Sequence, residues 1–109
     1  MNADDPRANG LKPTVAFDRL IHEPARLTLM AYLYVVEQAD FVFLMRQTGM
    51  TQGNLSSHLS KLEDAGYVAV EKSFKGKKPH TMLRLTEEGR EALRRYRQSM
   101  SQMLDGLPE

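Results

Sequence analysis

From Thr51 to Lys61 the chain reads Thr51-Gln52-Gly53-Asn54-Leu55-Ser56-Ser57-His58-Leu59-Ser60-Lys61. Leu55, Leu59 and Leu62 recur at steps of four and three, so they share one helical face. That places Gly53, Ser57, Ser60 and Asp64 on the opposite face, with Ser56 and Lys61 at its flanks. Thr51, Gln52 and Asn54 fall at the helix start. A helix that only has to stay solvated usually carries long Glu, Lys and Arg side chains. Short hydroxyls and amides instead let another surface come close to the backbone. They can donate to anionic oxygens or pair with base edges, and a helix N-terminus adds free amides and a positive dipole end.

A second group of candidate residues is cationic. Lys75, Lys77 and Lys78 surround Gly76 on what reads as one flexible tip, with Lys72 just before it. The formal net charge is only +1, but it is segregated. Residues 72–97 hold nine Lys and Arg against three Glu, a surplus of six, whereas residues 1–71 hold six against nine acidic residues. A basic block of this size suggests a polyanion partner.

Other chemistries find no support. There is no cysteine, hence no disulfide, thiolate nucleophile or thiolate metal site. His22, His58 and His80 lie far apart in sequence, so no metal site is expected. Glu63 and Asp64 are helix neighbours that point apart, which argues against acid–base catalysis. No catalytic residue and no cofactor are assigned, and an enzyme is not expected.

These residues need elements to hold them. The chain has 109 residues, 41% hydrophobic and 27% charged, enough for one modest core. Residues 1–13 read as a disordered tail and residues 14–109 as one domain. A first helical segment is expected from Thr14 or Val15 through Phe17, Leu20 and Ile21, stopping at His22-Glu23-Pro24. Pro24 opens a second helix to about Gln38, with Leu27, Met30, Ala31, Tyr34 and Val35 as its apolar stripe. Leu29, Leu33 and Val36 widen the stripe, so this helix is expected to be largely buried. Asp40 caps a short third helix that Gly49 ends, and Thr51 caps the polar-faced helix that Gly66 ends.

After Gly66 the apolar period changes to two. Strands from Val68 to Phe74 and from His80 to Leu85, around a five-residue loop Lys75–Pro79, predict a β-hairpin. Thr86 caps a last helix whose stripe is Ala92, Leu93, Tyr96, Met100, Met103 and Leu104. Arg90, Arg94 and Arg97 read as a solvated face, and Phe17, Tyr32 and Tyr34 as core packing rather than an effector pocket. No run is long enough to span a membrane, and the polar start lacks a signal peptide's pattern, so a cytoplasmic protein is expected.

The order of these elements is that of a winged helix-turn-helix, in the α+β class but mainly helical. The stretch Leu20 to Leu93 resembles winged-helix transcriptional regulators of the ArsR/MarR type, most closely the small winged-helix DNA-binding domain branch. The segments that carry the resemblance are Ile21–Leu27, Asp40–Leu44, Thr51–Leu59, Lys61–Val68, Lys72–Pro79 and Leu85–Gly89. It implies a DNA-binding homodimer with no covalent chemistry. Carried over by position, the base readers are Thr51, Gln52, Gly53, Asn54, Ser56, Ser57 and Ser60, with His58 packed partly under the helix and able to reach a phosphate. Lys72, Lys75, Lys77, Lys78 and His80 are the contacts of the wing. ArsR-type relatives that sense metals use cysteines or paired His and carboxylates on the last helix, and here residues 86–109 hold neither Cys nor His.

The stripe of the last helix runs past the reach of a compact core. A two-fold dimer seam is therefore expected from Phe17, Leu20, Ile21, Leu93, Tyr96, Met100, Met103 and Leu104. The reading is a homodimeric repressor of a pseudo-palindromic operator, its partners double-stranded DNA and a second copy, with any small-molecule effector unassigned. The alternative is a winged-helix adaptor for protein–protein contact that does not bind DNA.

Overall fold

A computed structural model describes residues 17–109. The expected tail at 1–13, and the Thr14–Ala16 start of the expected first helix, lie outside the described residues.

Phe17–Glu23 forms turns rather than the expected helix. Asp18 explains this, because its carboxylate takes the amides of Leu20 at 2.9 Å and Ile21 at 3.4 Å, offering the backbone a local alternative to a helix. Pro24–Val36 follows as α1. Its N-cap is Glu23, whose two carboxylate oxygens accept from Ala25 N at 3.1 Å and Arg26 N at 2.8 Å. The helix stops two residues short of the expected end, where Glu37 turns to a φ of 71°.

Gln38–Asp40 then forms β1, a strand with no counterpart in the sequence reading. Asp40 Oδ1 caps α2, Phe41–Thr48, at Phe43 N, and Gly49 ends it in the left-handed region at φ 71°. Thr51 Oγ1 caps α3, Gln52–Asp64, at Asn54 N. The end of α3 is closed by two bonds, Gly66 N to Glu63 O and Tyr67 N to Leu62 O, with Gly66 at φ 80°. This is the paired Schellman arrangement.

β2, Val68–Lys75, and β3, Lys78–Leu85, pair antiparallel in a hairpin, and β3 also pairs with β1 to give the sheet order β1-β3-β2. The connection is tighter than expected. Lys75 pairs with Lys78, leaving Gly76 and Lys77 as a two-residue turn with Gly76 at φ 63°. Pro79 therefore belongs to the strand, opposite Phe74. Lys75–Lys78 closes the turn as the hydrogen-bonded rung, so Phe74–Pro79 is a rung without hydrogen bonds and the missing proline N–H deprives β2 of nothing.

α4, Glu87–Asp105, is capped by Thr86 Oγ1 on Gly89 N, with Glu87 and Glu88 at its positive end. The core joins all these elements. Ile21, Leu29, Met30, Leu33, Leu44, Leu55, Leu62 and Leu83 are its fully buried large side chains, and Ala39, Leu59, Val68, Leu85, Ala92 and Tyr96 complete it. The class is as expected, mainly helical α+β with a hairpin and a long last helix.

α1 differs from its sequence reading. Leu29, Met30 and Leu33 face the core, whereas Ala31, Val35 and Val36 face out, and Val35 is 80% exposed. Apolar residues run round this helix, so its stripe could not reveal which side the rest of the fold would cover.

Candidate nucleic-acid interface

α3 turns its leucines inward and its polar residues outward. Leu55, Leu59 and Leu62 are buried, while Thr51, Gln52, Gly53, Asn54, Ser56, Ser57, Ser60 and Lys61 are all exposed. Beside the helix lies an open furrow of about 290 Å³. Gln52, Ser56, Ser60 and Glu63 form its α3 wall, and Val70, Lys72, Thr81 and Leu83 form the hairpin wall, with Phe41 of α2 also lining it. Four expected residues from two elements, Gln52, Ser56, Ser60 and Lys72, are thus brought to one place. Thr51, Gly53, Asn54 and Ser57 continue the exposed surface of the first helical turns. Lys75, Lys77 and Lys78 stand exposed at the hairpin tip, and none of them forms an ion pair with another described residue.

Two histidines stand elsewhere. His58 is half-buried on the inner flank of α3, where its Nδ1 lies 3.2 Å from Arg26 Nη1. Arg26 donates through Nε to Leu20 O at 2.6 Å, and Glu23 Oε2 lies 3.7 Å from His58 Nδ1. Burial raises the Glu23 pKa, but the amides of Arg26 and Ala25 and the charges of His58 and Arg26 outweigh it, so the carboxyl ends below its ordinary value. This cluster ties the N-terminal turn and α1 to α3. His58 therefore orients the helix more directly than it could touch a ligand. His80 is turned away from the tip, its Nε2 3.8 Å from Asp40 Oδ2, and joins β3 to the cap of α2.

The residues expected at a dimer seam divide in the same way. Ile21 is fully buried and Tyr96 nearly so, both inside the protomer, which withdraws them from any surface between copies. Tyr96 OH shares a 2.8 Å hydrogen bond with His22 Nδ1, and Phe17 stacks on His22 at 5.0 Å. Phe17, Leu20, Leu93 and Met100 are half-buried against the core, while Met103 and Leu104 are exposed. The expected solvated arginine face holds for the exposed Arg97 and is corrected for Arg90 and Arg94. Arg90 lies 4.9 Å over the Tyr34 ring, and Arg94 Nη1 reaches Tyr34 OH at 3.4 Å while bonding Glu91, so both clasp α4 onto α1.

Sequence reasoning missed Phe41, Thr81 and Glu63 as furrow residues. For Glu63 the signal was present, since Gln52, Ser56, Ser60 and Glu63 follow at helical spacing. For Phe41 and Thr81 it was not, because the furrow joins elements distant in sequence. Among the described residues no three His, Asp or Glu side chains cluster as metal ligands, and no helix is long and apolar enough to cross a membrane.

Comparison with known proteins decides the family. Residues 25–104 match the winged helix DNA-binding domain model. The chain belongs to the winged helix DNA-binding domain family. These winged-helix proteins are transcription regulators and not enzymes. The chain is similar to the uncharacterized protein MJ0432 of Methanocaldococcus jannaschii, with 33% identity over 78 residues, 72% of this chain and 85% of that protein. Its fold is similar to a transcriptional regulator homologue from Pyrococcus horikoshii, at a TM-score of 0.78 and 29% identity over 84% of this chain and 91% of that one. A PadR family regulator from Eggerthella lenta aligns at 0.63 and 26% identity, covering 81% and 85%. A mutant MarR from E. coli complexed with operator DNA aligns at 0.63 and 17% identity, covering 84% and 74%, a likeness of fold. The hairpin β2–β3 is accordingly the wing of the winged helix. The likeness lies with MarR and PadR regulators, and the ArsR half of the resemblance gains no separate support.

Proposed function

We propose that this winged-helix protein is a DNA-binding transcription regulator that works as a homodimer on a pseudo-palindromic operator. One observation carries the reading. The exposed polar side of α3 and Lys72 of the wing line one open furrow, and Lys75, Lys77 and Lys78 stand exposed farther out on the same hairpin, so a single duplex can meet both elements. α3 enters the major groove, where Gln52 and Asn54 offer amides suited to adenine and Ser56, Ser57 and Ser60 offer hydroxyls to bases or phosphates. Lys61 and Lys72 meet the backbone, and Lys75, Lys77 and Lys78 grip the phosphates beside the groove. That a mutant E. coli MarR of similar fold is complexed with operator DNA supports the DNA-binding reading.

The copies meet through the end of α4, and the two-fold axis sets the recognition helices about 34 Å apart, one helical turn of DNA. A dimer seated on a promoter obstructs transcription, so repression is its output, exerted in the cytoplasm. The test is selection of bound duplexes from a random pool, followed by binding in a salt series. Replacing Lys75, Lys77 and Lys78 together by Ala is expected to weaken binding on every sequence and to flatten the salt slope by about 0.9 for each phosphate no longer neutralised. Gln52→Ala and Asn54→Ala are expected to weaken the selected sequence and leave non-specific binding intact. An unchanged salt slope in the lysine variant refutes the wing assignment.

A further inference from the structure

The two faces of the wing carry different chemistry. Side chains alternate along a strand, so Val70, Lys72 and Phe74 share one face of β2. The rungs Val70–Leu83, Lys72–Thr81 and Phe74–Pro79 put their partners on the same face. The first two rungs line the furrow beside α3. Phe74 and Pro79 therefore prolong the furrow wall outward as its last, apolar rung. Phe74 is 72% exposed, so the fold gains almost nothing from burying it. It is an aromatic side chain held in water on a paired two-stranded ribbon, with Lys72 behind it and Lys75, Lys77 and Lys78 at the tip.

An apolar ring among exposed cations suits a partner with an anionic rim and an apolar interior. Duplex DNA has that build, with phosphates outside and deoxyribose and base edges behind them. We propose that Phe74, backed by Pro79, is an apolar wedge that enters the minor groove adjoining the major groove occupied by α3. There it packs on sugars and partly unstacks a base step, favouring operators with a flexible pyrimidine–purine step under the wing. This rests on the DNA-binding reading above and adds to it a residue that selects by deformability rather than by hydrogen bonds. An aromatic wedge needs no charge, so its contribution is separable from that of the lysines.

The experiment uses the full chain and a duplex selected by the wild-type protein, with 2-aminopurine placed in turn at the steps beneath the wing. Binding is measured across a salt series, and bending by energy transfer between the duplex ends. Phe74→Ala is expected to lose roughly tenfold in affinity, in the range of one aromatic–base stack, with the salt slope unchanged. The 2-aminopurine signal and the bend are expected to fall with it, and Phe74→Leu to restore part of both. The thermal midpoint is expected to stay where it is, since Phe74 packs on no core residue. A Phe74→Ala variant with wild-type affinity, bend and 2-aminopurine signal overturns the wedge and leaves DNA binding standing. Wild-type protein that retains no duplex at low salt overturns both.

Discussion

At Gly53 an added Cβ would meet no atom of the described residues within 4 Å, and the backbone is helical, so nothing among those residues requires glycine there. Glycine in a helix costs up to about 1 kcal/mol relative to alanine. Gly53→Ala is therefore expected to raise the unfolding midpoint in urea while weakening operator binding. A variant that gained stability and bound DNA as before would remove the reason for close approach at this turn. Tyr67 presents a different residue-scale case. Burial first, then its hydrogen bond to the Asp18 carboxylate, raise its pKa from 10.0 to about 12. The fold therefore favours the protonated phenol. Its contribution is complete below pH 10 and is lost as pH rises through about 12. A tyrosinate absorbance titration is expected to show a late step near pH 12 that Tyr67→Phe deletes.

Among the elements, α4 shows how closely its first turn is fitted to the α3–β2 junction. At Gly89 a Cβ would lie 2.2 Å from Tyr67 O, and that carbonyl already accepts from Thr86 N at 3.0 Å. Gly89→Ala should improve an isolated helix, yet here it is expected to destabilise by roughly 1–3 kcal/mol as α4 is forced off the α3–β2 junction. Chemical denaturation measures this directly. The starts of α2, α3 and α4 were legible in the sequence because each cap is local: Asp40, Thr51 and Thr86 bond amides three residues on. The turn at Phe17–Glu23 was not, because its apolar residues imitate a helical period while Asp18 diverts the backbone. β1 was invisible for another reason. Three residues carry no period, and Gln38–Asp40 is a strand only because β3 pairs with it.

For the whole molecule, the proposed second copy would sit on the exposed apolar residues at the end of α4. Leu104 is 55% exposed and Met103 and Leu107 are also open, at the end of α4 beyond the core. The outer side of α1 adds a groove through Leu27, Ala31, Tyr32, Val35 and Val36. Light scattering is expected to give a dimer at micromolar concentration, and Met103→Lys with Leu104→Glu to give a folded monomer without cooperative binding to a two-half-site duplex. A wild-type monomer would remove the two-fold model. The sequence by itself determined the polar helix, its leucine seam, its caps and the basic hairpin, since each follows from residues within a few turns of one another. Only the tertiary structure decided which side of α1 is covered, that His58 and His80 serve the frame, that Tyr34 is clasped by arginines, and that Phe74 continues the furrow wall. Those are matters of which surfaces meet across the chain, and the free energy that settles them comes from burial and pairing between segments that local sequence does not encode.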